Sequence, residues 1–291
     1  NNSMVESLPE GIDKIQIGSG VYNVKSYAEV GKPYGAIYAK TFKRDAEGYI
    51  LCQLDGSPKE GQDYEYLGCV QADWRGGWNN VFRLGNFSFS VMFDFQKGGK
   101  FFSQTSIQSS VDGQSVKSLE GRDADFFSRK ILGESDEERY GFMRPQNANT
   151  PTANGQIYPD WGRPKGVVLP NCRYDEDVEG LAGQQVLGYC TPERYWMHYT
   201  SRDISRFIYD ASYVKLREIT VSYDLPKKWL RKTPFQTFRV AAVGRNIATL
   251  FANTPHGLDP QATSTTGNAQ GFERGFNLPS ATYGFDIKVS F

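Results

Sequence analysis

The sequence predicts an all-β protein that forms part of a large antiparallel transmembrane β-barrel with long extracellular loops. Three observations favour this fold: segments in which apolar and polar residues alternate, a two-residue hairpin turn, and a contrast between short and long connections. Successive side chains of a strand point to opposite faces, so each alternating segment has one apolar and one polar face. A transmembrane barrel needs this pattern, because its outer face meets lipid and its inner face meets a polar lumen.

The last segment of the sequence shows the alternation most clearly. Its small, polar or charged residues fall on even positions, and its large apolar residues fall on odd positions: Tyr283, Phe285, Ile287, Val289 and Phe291. We expect the odd set to face lipid and to serve as the recognition signal for barrel assembly. The alternative interpretation is an edge strand of a soluble β-sandwich.

Composition excludes some classes of protein. The chain has 291 residues with 33 basic and 33 acidic side chains, and this balance argues against a nucleic-acid-binding protein. Aromatic residues make up 14% of the chain although the mean hydropathy is −0.53, as expected for a barrel that places rings on its lipid face. The sequence lacks a run of about 18 apolar residues, so a transmembrane helix is not expected. The start has no signal-peptide pattern, which indicates a removed leader or a longer parent chain.

The clearest hairpin runs from Trp74 to Gln96 around the turn Gly85-Asn86. A two-residue turn of this type fixes the register of the two strands. The register pairs Leu84 with Phe87, Phe82 with Phe89, Asn80 with Val91, and Trp78 with Phe93. Most of these pairs join apolar residues on one face, so turn and alternation agree.

Five further strands are expected at 12–18, 34–42, 208–225, 235–251 and 280–291. In the third of these the apolar parity switches near Arg217-Glu218, which indicates either a β-bulge or an upper part of the strand that packs inward. The connections at 85–86 and 226–234 are short, and we place them on the periplasmic side, with Trp229 in an aromatic girdle. The connections 98–207 and 252–279 are long and fall outside. Six or seven strands are too few for a barrel, whose smallest single-chain examples have about eight.

The sequence therefore divides into three regions. Residues 1–102 are expected to hold barrel strands and one outer loop, and residues 103–207 a long extracellular loop region. Residues 208–291 are expected to hold the last three barrel strands with the outer loop 252–279.

Several motifs resemble SusC/RagA-type TonB-dependent outer-membrane transporters of Bacteroidetes, at the C-terminal portion of their barrel. The similarity is carried by the segment from Ala211 to Pro226, which reads ASYVKLREITVSYDLP, and by Gly244-Arg245-Asn246 and Gly257-Leu258-Asp259-Pro260. Earlier segments at 31–35, 73–78 and 98–100 look like the same family, whereas residues 103–205 give no match that names a substrate.

The resemblance implies a fold and a set of partners. It implies a barrel of about 22 strands in the cell outer membrane, closed by a plug domain. It implies import of oligosaccharides or peptides with a SusD-like surface lipoprotein, driven by TonB through a region that this sequence lacks. The remaining partners it implies are the rest of the barrel, the plug and outer-membrane lipid. A secreted glycan-binding β-sandwich is the alternative function, and it would be soluble without detergent.

Aromatic residues and cysteines mark the long outer region. Five aromatic side chains could contact substrate or partner, or pack the loop onto itself: Tyr158, Trp161, Tyr174, Tyr195 and Trp196. Four cysteines, assigned to loops, are Cys52, Cys69, Cys172 and Cys190. If they form disulfides, we expect Cys52 to pair with Cys69 and Cys172 with Cys190, and the alternative is free thiols.

Catalysis has little support in the sequence. It contains two histidines and no nucleophile elbow, zincin helix or phosphate loop. The cysteine spacings do not suit zinc, and the acidic runs at 136–138 and 175–177 lack the pattern of a calcium loop. We therefore expect no enzyme activity, no metal and no cofactor.

Overall fold

A computed structural model describes residues 4–19, 22–120, 167–190, 192–255, 257–262, 270–275 and 280–291. Fifteen strands dominate it, and the helices are short. Within these ranges no helix has the length and apolar character needed to cross a membrane.

The main feature of the fold is a five-stranded antiparallel sheet in the order β15-β13-β12-β7-β6. Its strands are β6 (Trp74–Leu84), β7 (Phe87–Lys97), β12 (Tyr213–Asp224), β13 (Thr237–Ala252) and β15 (Thr282–Ser290). Within the described residues, β6 and β15 each have a neighbour on one side only. We call this sheet the wall.

Ten shorter strands form three smaller sheets. The order β1-β2-β3-β5 joins β1 (Lys14–Ser19), β2 (Lys25–Glu29), β3 (Ala36–Ala39) and β5 (Glu65–Cys69). The order β10-β9-β4 joins β4 (Ile50–Cys52), β9 (Val167–Tyr174) and β10 (Gln185–Cys190). The order β11-β8-β14 joins β8 (Lys100–Ser103), β11 (Ile208–Asp210) and β14 (Phe272–Glu273).

Helical segments lie mainly between β8 and β12. They are α1 (Gln104–Val111), α2 (Pro192–Arg194), a π-helical turn at Tyr195–Tyr199, and 3₁₀ turns at Val116–Leu119 and Ile204–Phe207. A further short helix, α3 (Lys227–Leu230), lies between β12 and β13. The small sheets and these helices enclose two buried apolar clusters, one around Trp196 and Val186 and one around Ile37 and Phe102. We call this packed region the outer body.

The predicted hairpin register is confirmed at all four pairs: Leu84 with Phe87, Phe82 with Phe89, Asn80 with Val91, and Trp78 with Phe93. Gly85 has φ of 58°, which the first position of such a turn requires and which glycine adopts without strain. The rings of Trp78 and Phe93 stack with centroids 5.6 Å apart. Cross-strand aromatic pairs of this kind stabilise the register.

The predicted bulge is confirmed as well. The pairing of β12 with both β7 and β13 shifts between Leu216 and Glu218. Before the shift along β12, Leu216 lies opposite Phe93, and after it Ile219 lies opposite Val91. The shift therefore keeps the apolar residues of β12 on the same side as those of β7, although their parity in the sequence changes.

The predicted contrast between short connections at one end of the strands and long connections at the other is also confirmed. The short turns at 85–86 and 225–236 lie at one end of the wall, where the Asp224 amide donates to the Asn86 carbonyl. The long connections 98–212 and 253–281 leave from the other end, because Tyr213 pairs with both Gln96 and Ala252.

Two predicted strands do not belong to the wall. The strand expected at 34–42 is only Ala36–Ala39, and all four of its residues are buried. A wall strand exposes one face, whereas this one packs Ile37 into the outer body on one face and Tyr38 against Tyr27 on the other. The strand expected at 12–18 is found at Lys14–Ser19, in the same small sheet.

The strand expected at 208–225 is interrupted. Residues 208–210 pair with β8 instead, and the chain enters the wall only at Tyr213. The break at Ala211-Ser212 is held by side-chain hydrogen bonds: Gln96 Nε2 donates to the Ala211 carbonyl, and the Gly98 amide donates to Ser212 Oγ.

Candidate functional site

The wall has one apolar face, which is exposed. Phe285 is 86% exposed, Tyr283 76% and Ile287 65%, values far above those of a packed core. The face continues across the wall through Val221, Phe89 and Phe82, which are 44%, 39% and 57% exposed. Monomeric soluble proteins rarely expose contiguous apolar patches above a few hundred Å². This face therefore needs an apolar environment.

A small residue accommodates a ring at two points of this face. A side chain at Gly76 would meet the Phe95 ring at 2.4 Å, and a side chain at Gly244 would meet the Tyr283 ring at 3.3 Å. β13 places the small residues Ala242 and Gly244 on its apolar side for the same reason. Their neighbours on β15, Phe285 and Tyr283, are large.

The opposite face of the wall carries cross-strand ion pairs. Arg217 Nη2 lies 2.6 Å from Asp94, Arg239 Nε lies 2.7 Å from Asp224, and Arg245 Nε lies 2.9 Å from Glu218. Opposite charges facing each other across strands stabilise the pairing. The wall thus separates an apolar environment from a polar one.

The connection 253–281 is held against the polar face and the outer body. Lys215 Nζ on β12 donates to Asp259 Oδ1 at 2.5 Å and to Gln261 Oε1 at 2.9 Å. Further along, the buried Glu273 carboxylate accepts from the Ser103 and Thr105 hydroxyls at 2.5 and 2.6 Å. Ser103 is the N-cap of α1, so Glu273 supports the start of that helix.

Three of the five aromatic residues proposed for contact are buried. Tyr174, Tyr195 and Trp196 are 3%, 1% and 1% exposed, within the cluster that also holds Val186. Trp196 Nε1 donates to the Glu120 carbonyl at 3.1 Å, so its polar atom is satisfied inside the outer body. These positions favour the packing alternative for the three residues. Tyr158 and Trp161 lie outside the described residues.

A lysine–aspartate cluster joins distant parts of the outer body. Lys43 and Lys59 donate to the Asp175 carboxylate at 2.9 and 2.7 Å, and Asp175 is 4% exposed at its side chain. Burial alone would raise the pKa of Asp175, but hydrogen bonds from Lys59 and Lys43 outweigh it and lower the pKa to about 2. Two members of the acidic run 175–177, Asp175 and Asp177, are therefore paired with lysines.

All four cysteines lie in described strands rather than in loops, and they form no disulfide there. Cys52, Cys172 and Cys190 share one apolar cluster, and Cys69 lies on another sheet. The Cys52 thiol contacts Cys172, and this contact together with burial raises the pKa of Cys52. Burial raises the pKa of Cys190 to about 12. The sequence led us to expect Cys52 to pair with Cys69 and Cys172 with Cys190. In the fold, the thiol next to Cys52 is that of Cys172 instead.

One group of polar residues near the end of the wall is not predicted as a whole by any sequence pattern. Arg75 of β6, Gln96 of β7 and Lys100 of β8 line a common pocket with Gln261. Arg75 and Gln96 could have been placed together from the hairpin register, because Arg75 lies directly opposite Gln96. Lys100 and Gln261 come from connections, which local periodicity does not position.

Comparison with known proteins gives one curated relative. No protein-family model matches the chain. The chain is 24% identical over 240 residues to "TonB-dependent receptor P3" of Formosa agariphila. The match covers 82% of this chain but 18% of that receptor, so the chain spans less than a fifth of its relative.

Solved structures of the RagAB peptide importer are also similar. The closed-closed state gives a TM-score of 0.48 with 14% identity and covers 98% of this chain and 25% of that chain. The open-open state gives 0.47 with 14% identity, again over 98% of this chain and 25% of that chain. The motifs and the curated relative agree, in that the chain is similar in sequence to a TonB-dependent receptor.

Proposed function

We propose that this chain forms part of the barrel wall and outer loops of a SusC/RagA-type TonB-dependent transporter in the outer membrane. The observation that carries the proposal is the wall itself, which is apolar and exposed on one face and lined with ion pairs on the other. Lipid covers the first face and the polar lumen contacts the second. The similarity to a TonB-dependent receptor supports the same assignment.

The remaining strands come from the rest of the protein. An open sheet edge is costly in lipid, because its backbone groups find no hydrogen-bond partners. The free edges of β6 and β15 therefore pair with other strands of a barrel of about 22 strands, as in large plugged barrels. Residues 74–97, 213–252 and 282–290 supply wall strands, and the outer body is the extracellular part.

Transport, not catalysis, is the proposed activity. TonB acts through a region outside this chain and moves the plug, while the wall keeps its shape. The substrate is an oligosaccharide or a peptide, received with a SusD-like surface lipoprotein. Of the aromatic residues expected at contacts, Tyr158 and Trp161 remain the candidates, since Tyr174, Tyr195 and Trp196 pack inside the outer body.

The β-sandwich alternative requires a second sheet over the apolar face. In the described ranges that face is open, with Leu84 83% exposed and Phe285 86% exposed. This exposure favours the membrane assignment over the sandwich.

The test combines fractionation with uptake. Cells with and without the full-length protein are given fluorescent oligosaccharides and peptides, with TonB intact or disrupted. The proposal expects the protein in the detergent-extracted outer-membrane fraction and uptake of at least one substrate class that needs both the protein and TonB. Recovery of the protein in the detergent-free soluble fraction would refute it.

A further inference from the structure

A pocket of about 260 Å³ lies on the polar face of the wall, at the end from which the long connections leave. Its polar and aromatic lining comes from β6 and β7, from β8, and from the connection 253–281. These residues are Arg75, Gln96, Lys100, Phe101, Gln261 and Gln270. None of the residues that line it in the described ranges is acidic. The pocket is smaller than the roughly 300 Å³ at which drug-sized sites begin, so it suits one charged unit of a larger ligand.

The two cationic side chains that line the pocket, Arg75 and Lys100, can bind a ligand. Arg75 makes no ion pair or side-chain hydrogen bond with the residues that the structure describes. Lys100 Nζ has one acidic contact, to Asp210 at 3.5 Å, which is long for a charge-assisted hydrogen bond. Two neighbouring carboxylates are engaged by other cations, Asp94 by Arg217 at 2.6 Å and Asp259 by Lys215 at 2.5 Å.

The walls of the pocket are fixed in place. Gln96 is 8% exposed, and its Nε2 donates to the carbonyls of Gly98 and Ala211 at 3.2 and 3.1 Å. Gln261 Oε1 accepts from Lys215 at 2.9 Å, and Gln261 Nε2 donates to the Tyr213 hydroxyl. A pocket whose amides are already bonded loses little conformational freedom when a ligand enters.

We propose that this pocket binds a carboxylate of the transported oligomer, held between the Arg75 guanidinium and the Lys100 ammonium. The inference rests on the proposed function, since it names the chemistry of the substrate. A guanidinium matches the two oxygens of a carboxylate, and an ammonium adds a point charge. Acidic oligosaccharides and acidic peptides both offer this group, and neutral oligomers do not.

The test follows the reactivity of Arg75 itself. Full-length transporter in detergent is treated with phenylglyoxal, which modifies arginine, and mass spectrometry measures the modification rate at Arg75. The probes are an oligogalacturonate, a glutamate-rich peptide and the neutral counterpart of each, at equal ionic strength. Protection by an acidic probe but not by its neutral counterpart is expected, and the acidic probe that protects identifies the source of the carboxylate.

Variants test whether the protection of Arg75 arises from binding in the pocket. Lys100→Gln is expected to weaken it about tenfold, the effect of losing one charge-assisted hydrogen bond. Lys97→Gln is the matched control, because Lys97 lies next to Gln96 on the other face and does not line the pocket. An Arg75 that does not react, equal protection by neutral probes, or equal effects of the two variants would overturn the inference. The readout is equilibrium binding without TonB, so it can fail while transport itself is observed.

Discussion

Lys215 and Asp259 form an ion pair that joins β12 to the connection 253–281, with Nζ 2.5 Å from Oδ1. Their side chains are only 5% and 13% exposed. The same ammonium binds Gln261, so two residues of the connection are fixed to one point of the wall. The connection is therefore held against the wall at this point.

Replacing Lys215 by Met is expected to release this connection. Removing one member of a buried pair leaves the other charge uncompensated, which costs about 3–5 kcal/mol. Hydrogen exchange at 257–262 should accelerate in the full-length protein while exchange in β6 and β7 stays unchanged. Arg245→Gln is the control, because Arg245 pairs with Glu218 at an exposed site and is itself 65% exposed.

The double variant Lys215→Met with Asp259→Leu tests whether the faster exchange comes from the uncompensated Asp259 carboxylate or only from the loss of the contact. A buried ion pair replaced by apolar residues of similar volume is often neutral in stability. We therefore expect the double variant to exchange more slowly than Lys215→Met alone. Equal exchange in the two variants would contradict a role for the uncompensated carboxylate.

Glu273→Gln is expected to loosen the start of α1. The carboxylate accepts from Ser103, Thr105 and Gly275, and an amide cannot accept at both of its terminal atoms. The loss should be about 1–3 kcal/mol, seen as faster exchange at 103–107. Glu65→Gln, at an exposed position on β5, should leave that exchange unchanged.

The stability of the outer body should depend on pH through the ionisation of Asp175. Its pKa is lowered to about 2 in the folded protein, against 3.8 ordinarily, so its stabilising effect is complete above about pH 4 and is lost as the pH falls towards 2. At neutral pH this amounts to on the order of 2 kcal/mol.

Comparison of variants at each pH measures this effect. Asp175→Asn should exchange faster than wild type at 167–190 at pH 7, and the difference should shrink to a small fraction as the pH falls through about 2. Asp177→Asn is the control, since the Asp177 side chain is 70% exposed and its effect should be small. A difference between wild type and Asp175→Asn that is as large at pH 2 as at pH 7 would contradict the assigned pKa.

The bulge places one extra residue, Arg217, between Leu216 and Glu218, which lie opposite the successive residues Phe93 and Met92. Deleting Arg217 therefore leaves a regular ladder with its apolar residues still on the apolar face, and we expect assembly in the outer membrane to survive. Deleting Thr220 instead puts the bulge and the alternation of β12 out of phase, so that apolar residues turn to the polar face, and we expect assembly to be lost. Equal assembly of the two deletion variants would contradict the assigned register.

The wall could be predicted from the sequence because its rules are local. Alternation sets the faces, Gly85 sets the turn, and the parity switch in β12 locates the bulge between Leu216 and Glu218. Each of these signals lies within one strand or one hairpin, where side chains alternate with a period of two residues.

The outer body could not be predicted in the same way. β3 alternates poorly because both of its faces are buried, and its partners are chosen by tertiary packing. Asp175 meets Lys43 and Lys59 across more than a hundred residues of sequence. The pocket of Arg75 and Lys100 likewise depends on a connection that no short-range pattern positions.

The central claim is that lipid covers the apolar face of the wall, and neighbouring residues of β15 test it most directly. Ile287 lies on the apolar face and Asp286 on the polar one. The measurement is the heat-modifiable, folded fraction of full-length protein in outer membranes for Ile287→Lys and Asp286→Lys. A lysine facing lipid costs about 2–4 kcal/mol near the middle of the bilayer, so Ile287→Lys should lose most of its folded fraction while Asp286→Lys retains it. Equal losses in both variants would contradict the account.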